Sequence, residues 1–202
     1  MSTAEVRNSP LDFLYFWFRA IFKPIRTIDE LIRKPSPTWG LWAVLTRFIV
    51  TSLTTTLALY LLGRLPFVDS QLTILPIENY YKAEIFFLPF WGLGIWLLMS
   101  SLSHIIIRLS GRSSNFDHVL NIIGIGMLVP MPFLWLWDWT SIGLNWPYLP
   151  QLAVAHSLSQ IWEGSIQAIG FRRIVGLKVR FAIILAIVIN VVYILLAQFF
   201  IR

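Results

Sequence analysis

Apolar positions gather into five long runs along the chain, at approximately 41–62, 85–107, 119–137, 152–171 and 181–201. Each has about the length that a ~30 Å hydrocarbon core demands of a helix. Ahead of them, Leu14, Phe18, Ile21, Ile25, Ile28 and Ile32 recur at helical spacing, with Asp12, Arg19, Lys23, Arg26, Glu30 and Arg33 on the other side. That pattern predicts a helix lying in the headgroup plane with its greasy face down. Ser9 as N-cap and Pro10 at the first helical position start it, Pro24 bends or divides it, and Pro35-Ser36-Pro37 ends it. The expected fold is all-α: a polytopic membrane bundle of five transmembrane helices, residues 41–202, preceded by an amphipathic interfacial segment, residues 1–40.

The fourth run is interrupted by polar residues in a regular way. His156, Gln160, Glu163 and Gln167 are spaced four, three and four apart, which places them on one helix face. A carboxylate at mid-span is expensive unless it is paired, hydrated or protonated. Glu163 is therefore open to two readings. It could carry protons, with His156 two turns away relaying them outward, or it could fix helix packing by pairing with Arg47 of the first run or bonding Asn190 of the fifth. The third run holds Gly124, Gly126, Pro130 and Pro132, so a kinked or broken helix is expected there, with Ser114 and Asp117 capping its start.

Composition agrees with a lipid environment: 57% hydrophobic residues and a mean hydropathy of +0.71 exceed what a soluble domain of this size can hide. The net charge of +6 does not indicate nucleic acid, because the cations sit in short loops between apolar runs. Twelve of the sixteen Lys and Arg fall in the amino-terminal segment, around Arg108 and Arg112, and between Arg172 and Arg180. This asymmetry predicts a cytoplasmic amino terminus and an external carboxyl terminus. Arg19 and Lys23 break the first apolar stretch, so a signal peptide is not expected.

Candidate chemistry is sparse. With no cysteine in the chain, thiolate metal sites and cysteine nucleophiles are excluded. His104, His118 and His156 fall on different helices, so no metal site is expected. Neither a cofactor motif nor a nucleophile motif is present. Arg19, Lys23, Arg26, Arg172 and Arg173 are candidates for lipid headgroups, as are His104 and Arg108. Trp135, Trp137, Trp139, Trp146 and Tyr148 predict an aromatic belt in an external loop between the third and fourth runs. The segment from Gly63 to Ala83 could carry a re-entrant or surface turn.

Several of these features together resemble the Yip1 domain family. They are the basic lead with Phe22-Lys23-Pro24, the turn Gly111-Arg112 followed by Ser114-Asn115-Phe116-Asp117, the proline-bearing third run, and Trp162 followed by Ala168-Ile169-Gly170-Phe171 and a basic turn. The resemblance covers about residues 10–201. It implies five spans with a cytoplasmic amino terminus; eukaryotic members are associated with Golgi and endoplasmic reticulum vesicle traffic and with small Rab-type GTPases. The chain lacks the long soluble amino-terminal region and the Asp-Leu-Tyr-Gly-Pro motif of those members. GTPase recruitment is therefore not carried over, and a prokaryotic plasma membrane is the expected address. The expected function is that of a non-enzymatic scaffold or adaptor binding lipid and other membrane proteins or its own copies, with no cofactor. The alternative is a small proton-coupled transporter or channel using the polar seam of the fourth run.

Overall fold

A computed structural model describes residues 10–32, 37–66, 75–146 and 149–200, and no strand occurs among them. The elements are α1 (Pro10–Phe22), α2 (Pro24–Leu31), α3 (Thr38–Val50), a π-helical turn (Thr51–Thr56), α4 (Leu57–Leu61), a 3-10 turn (Ile77–Asn79), α5 (Tyr80–Leu109), α6 (Phe116–Leu128), α7 (Met131–Gly143), α8 (Leu149–Arg173) and α9 (Val179–Phe200). Four continuous rods are long and apolar enough to cross a membrane, as a multi-pass protein requires: Thr38–Leu61, Ile77–Leu109, Phe116–Gly143 and Val179–Phe200. They cover the first, second, third and fifth expected runs. The fourth run forms α8, 25 residues long, but His156, Gln160, Glu163 and Gln167 keep it from the apolarity of the other four.

Rods consecutive in the chain alternate in direction, so that alternate ones run parallel. Gly40 faces Leu120 and Gly124 while Arg47 reaches Met127, so α3 and α6 run parallel. Gly126 meets Gln167 and Gly170 meets Ile122, so α8 runs against α6. The centre of the bundle is α6, in which every residue from Val119 to Leu128 is buried. Its glycines permit that position. A Cβ on Gly124 would stand 2.5 Å from the Gly40 carbonyl oxygen, and the Gly40 N–H donates to Asn121 Oδ1 at 2.7 Å. Helix α5 ends on Gly111, whose φ of +77° suits a residue without Cβ, with Arg112 N–H returning to the Ile107 carbonyl.

Prolines divide the chain where a backbone donor is missing. Helices α1 and α2 part at Lys23, just before Pro24, and the third rod breaks at Val129-Pro130 between α6 and α7. Two of the freed carbonyls find another donor. Pro89 inside α5 cannot bond the Ile85 carbonyl, which accepts from Ser52 Oγ at 2.6 Å. Pro132 likewise cannot serve Leu128, whose carbonyl accepts from the Trp17 indole at 3.2 Å. In lipid no water would do this instead.

Two expectations are corrected. The cap of α6 is Asn115, whose Oδ1 accepts the Asp117 N–H at 2.8 Å; Ser114 instead hydrogen-bonds His104 Nδ1 at 2.6 Å. Trp135, Trp137 and Trp139 are not in a loop, because α7 continues to Gly143. The lead also packs on the bundle. Phe13 and Phe16 pack edge-on against Trp39, and Trp17 against Trp135, while Leu14, Phe18 and Ile25 remain exposed and Ile28 is buried. Ser9, Arg33 and Tyr148, with residues 67–74 of the Gly63–Ala83 segment, lie outside the described residues.

Candidate functional site

Near the ends of α3 and α6 and mid-way along α8 and α9 the structure gathers a polar network inside an apolar surround. Arg47 lies nine residues into its rod, about 14 Å at ~1.5 Å per residue, and Glu163 lies ten residues before the end of α8, about 15 Å. Arg47 thus stands near the middle of its rod, Thr38–Leu61, and Glu163 near the middle of α8. Arg47 Nη1 meets Glu163 Oε2 at 2.7 Å, and the two residues are 5% and 1% exposed.

The remaining valences of the pair are filled. Arg47 Nη1 also donates to the Met127 carbonyl at 2.8 Å, and its Nη2 donates to the Tyr193 hydroxyl at 3.1 Å. Met127 stands in the last turn of α6, where carbonyls lack helical partners and the helix dipole is negative, so a cation is favoured there. On the other side Gln167 Nε2 donates to Glu163 Oε1 at 3.1 Å, and Asn190 Nδ2 donates to Gln167 Oε1 and to the Ala186 carbonyl, both at 2.8 Å. Gly126 makes room for Gln167, since a Cβ there would come within 2.7 Å of its Cγ. Four helices are thus tied by one charge pair and its amides.

Of the expected seam, Arg47, Glu163, Gln167 and Asn190 come together. His156 does not join them: its Nε2 lies 3.4 Å from Asp138 Oδ1 of α7. Gln160 is half-buried, and its buried Oε1 has no hydrogen-bond partner. Tyr193 and Met127 were absent from the sequence-based set. A phenol on the α9 face one turn beyond Asn190 was the available signal for Tyr193; the role of Met127 depends on where the helix breaks.

The candidate headgroup cations divide in two. Arg19 is ion-paired with Glu30, and Arg173 forms a two-pronged pair with Asp29, one arm being Nη2 to Oδ2 at 2.7 Å. That pair holds the Asp29 carboxyl below the usual carboxylate range. Lys23, Arg26 and Arg172 are exposed. Among the described residues no cluster of three or more His, Cys, Asp or Glu could hold a metal. A recess lined by Ile28, Leu31, Ile122, Ile125, Ile166 and Gly170 is apolar and too narrow for water.

No family model, curated protein or solved structure matches the chain. What the site can do is therefore read from its geometry. The Glu163 carboxylate is bonded to a guanidinium and an amide and is 1% exposed.

Proposed function

We propose that the chain is a five-span integral membrane scaffold or adaptor of the Yip1 type, without catalysis, that binds membrane proteins or lipid. The observation that carries this reading is the Arg47–Glu163 pair, which joins helices and is bonded further by Gln167, with Glu163 only 1% exposed. Support for α8 as the additional span comes from its length, about 38 Å for 25 residues, and from its antiparallel course along α6. The amino terminus is assigned to the cytoplasm from the distribution of Lys and Arg, and a prokaryotic plasma membrane remains the expected setting. The lead offers Leu11, Leu14, Tyr15, Phe18 and Phe22 to lipid, with Lys23, Arg26 and Arg172 available to phosphates.

Glu163→Gln in reconstituted vesicles tests the reading. It keeps the shape of the side chain and removes the charge. The scaffold reading expects proton flux equal to that of the unsubstituted protein, together with lower thermal stability. Loss of a measurable flux in a variant that stays folded would replace it with the proton-coupled transporter.

A further inference from the structure

Helix α1 is apolar on both faces. Phe13 and Phe16 are buried against Trp39, and the Trp17 indole donates to the Leu128 carbonyl at 3.2 Å. On the opposite side Leu11, Leu14, Tyr15, Phe18 and Phe22 recur at helical spacing and are all exposed. Asp12 and Arg19 are the only charged residues in the helix, and Arg19 is turned over the Tyr15 ring and paired with Glu30. A helix that is apolar all round does not face water. Its contacts also set its level. Trp39 is the second residue of the first rod, and Leu128 follows Met127, whose carbonyl accepts from Arg47 further along that rod. Helix α1 therefore lies alongside the first half of the rod and not beyond its end. Its 13 residues make about 20 Å, too short to cross a ~30 Å core.

Helices α3 and α7, on which α1 packs, themselves expose Trp42, Phe133 and Leu136, apolar side chains that call for the same surroundings as the α1 stripe. The stripe ends at Lys23 and Arg26, exposed cations at the Pro24 break, and cations at the end of an apolar face match the phosphates of an anionic leaflet. Among the described helices only α1 and α2 stand outside the four rods and α8, so they widen one half of the bundle. We propose that α1 is immersed in the acyl chains of one leaflet, with Lys23 and Arg26 at its phosphates, and that this one-sided wedge makes the protein gather on curved membrane. Material added to one leaflet bends a bilayer convexly on that side, so the preferred surface is convex on the side of the lead. The proposal deepens the lipid-binding part of the scaffold reading and rests on it.

Two measurements on the full chain test this. Because the chain has no cysteine, single spin labels at Phe18→Cys and Arg26→Cys report depth in phosphatidylcholine–phosphatidylglycerol vesicles. The Phe18 label is expected to meet oxygen and exclude a nickel chelate, and the Arg26 label to meet the chelate. A fluorophore at Ser113→Cys, in the turn between α5 and α6, then reports protein density in giant vesicles whose label an impermeant quencher reaches, so that the lead faces outward. Tubes drawn from them are expected to carry at least about twofold more protein per lipid than the flat membrane. Leu14→Gln/Phe18→Gln, at two exposed positions, should lose most of that enrichment. Equal density on tube and flat membrane overturns the wedge, while a Phe18 label in the acyl chains leaves the lipid-binding reading standing. A Phe18 label open to nickel overturns both. One shielded from oxygen and nickel alike gives the stripe to a second copy and overturns the proposal, and undiminished enrichment in the double variant overturns the assignment to α1.

Discussion

Around the basic turn between α8 and α9, α6 occupies the middle of the bundle, with glycine against backbone and no residue from Val119 to Leu128 reaching the surface. Beyond Pro130 the same rod, now α7, lies at the edge, with Phe133, Leu136 and Trp139 exposed. The first half is apolar and close-packed. The second is held by indole–hydroxyl bonds and by Asp138 beside His156. One helix break accounts for the contrast, because it ends the central packing and frees carbonyls that polar side chains then serve. The Arg47–Glu163 pair stands at the boundary between the two halves, on the last turn of α6.

The contrast breaks most severely at Gly124. Gly124→Leu is expected to yield no folded protein, and Gly124→Ala to cost about 1–3 kcal/mol in thermal unfolding, because backbone rather than a flexible side chain must give way. Gly94→Ala in α5 meets nothing within 4 Å and should be stabilising by up to about 1 kcal/mol. A harmless Gly124→Ala would mean that α3 and α6 do not cross this closely. The freed carbonyls give a more specific effect. Ser52→Ala should cost about 1–3 kcal/mol by leaving the Ile85 carbonyl bare, yet cost little when combined with Pro89→Ala, which restores the helical donor. Additive losses in that cycle would refute the compensation.

The smallest effect lies at the basic end. Because Arg173 depresses the Asp29 carboxyl, the pair contributes stability above the unfolded pKa of about 4 and loses it as pH falls through the lower folded value. Asp29→Asn should therefore flatten the acid limb of a stability–pH profile slightly, and salt should diminish the difference. An unchanged profile would show that the exposed pair adds nothing.

The apolar runs and the spacing on α8 made much of this legible: Glu163, Gln167, Arg47 and Asn190 can be named as a seam because a stranded carboxylate needs partners and few are available. His156 parts from that seam although it lies two turns from Glu163 on the same face. Its neighbour is α7 rather than α3 or α9, a consequence of the break at Val129-Pro130. Prolines 89 and 132 announce that a carbonyl is freed, but not that Ser52 and Trp17 will serve it, since donors come from helices remote in the chain. For the same reason the sequence does not show that Phe13, Phe16 and Trp17 meet Trp39, Trp135 and Leu128, which lie far along the chain.

The most direct measurement is the unfolding free energy of Arg47→Met, Glu163→Met and the double variant Arg47→Met/Glu163→Met in one detergent. Each single change leaves a buried charge alone and should cost about 3–5 kcal/mol, whereas the double change should recover most of that loss. Single variants as stable as the unsubstituted chain would contradict a structural pair at the centre of the bundle.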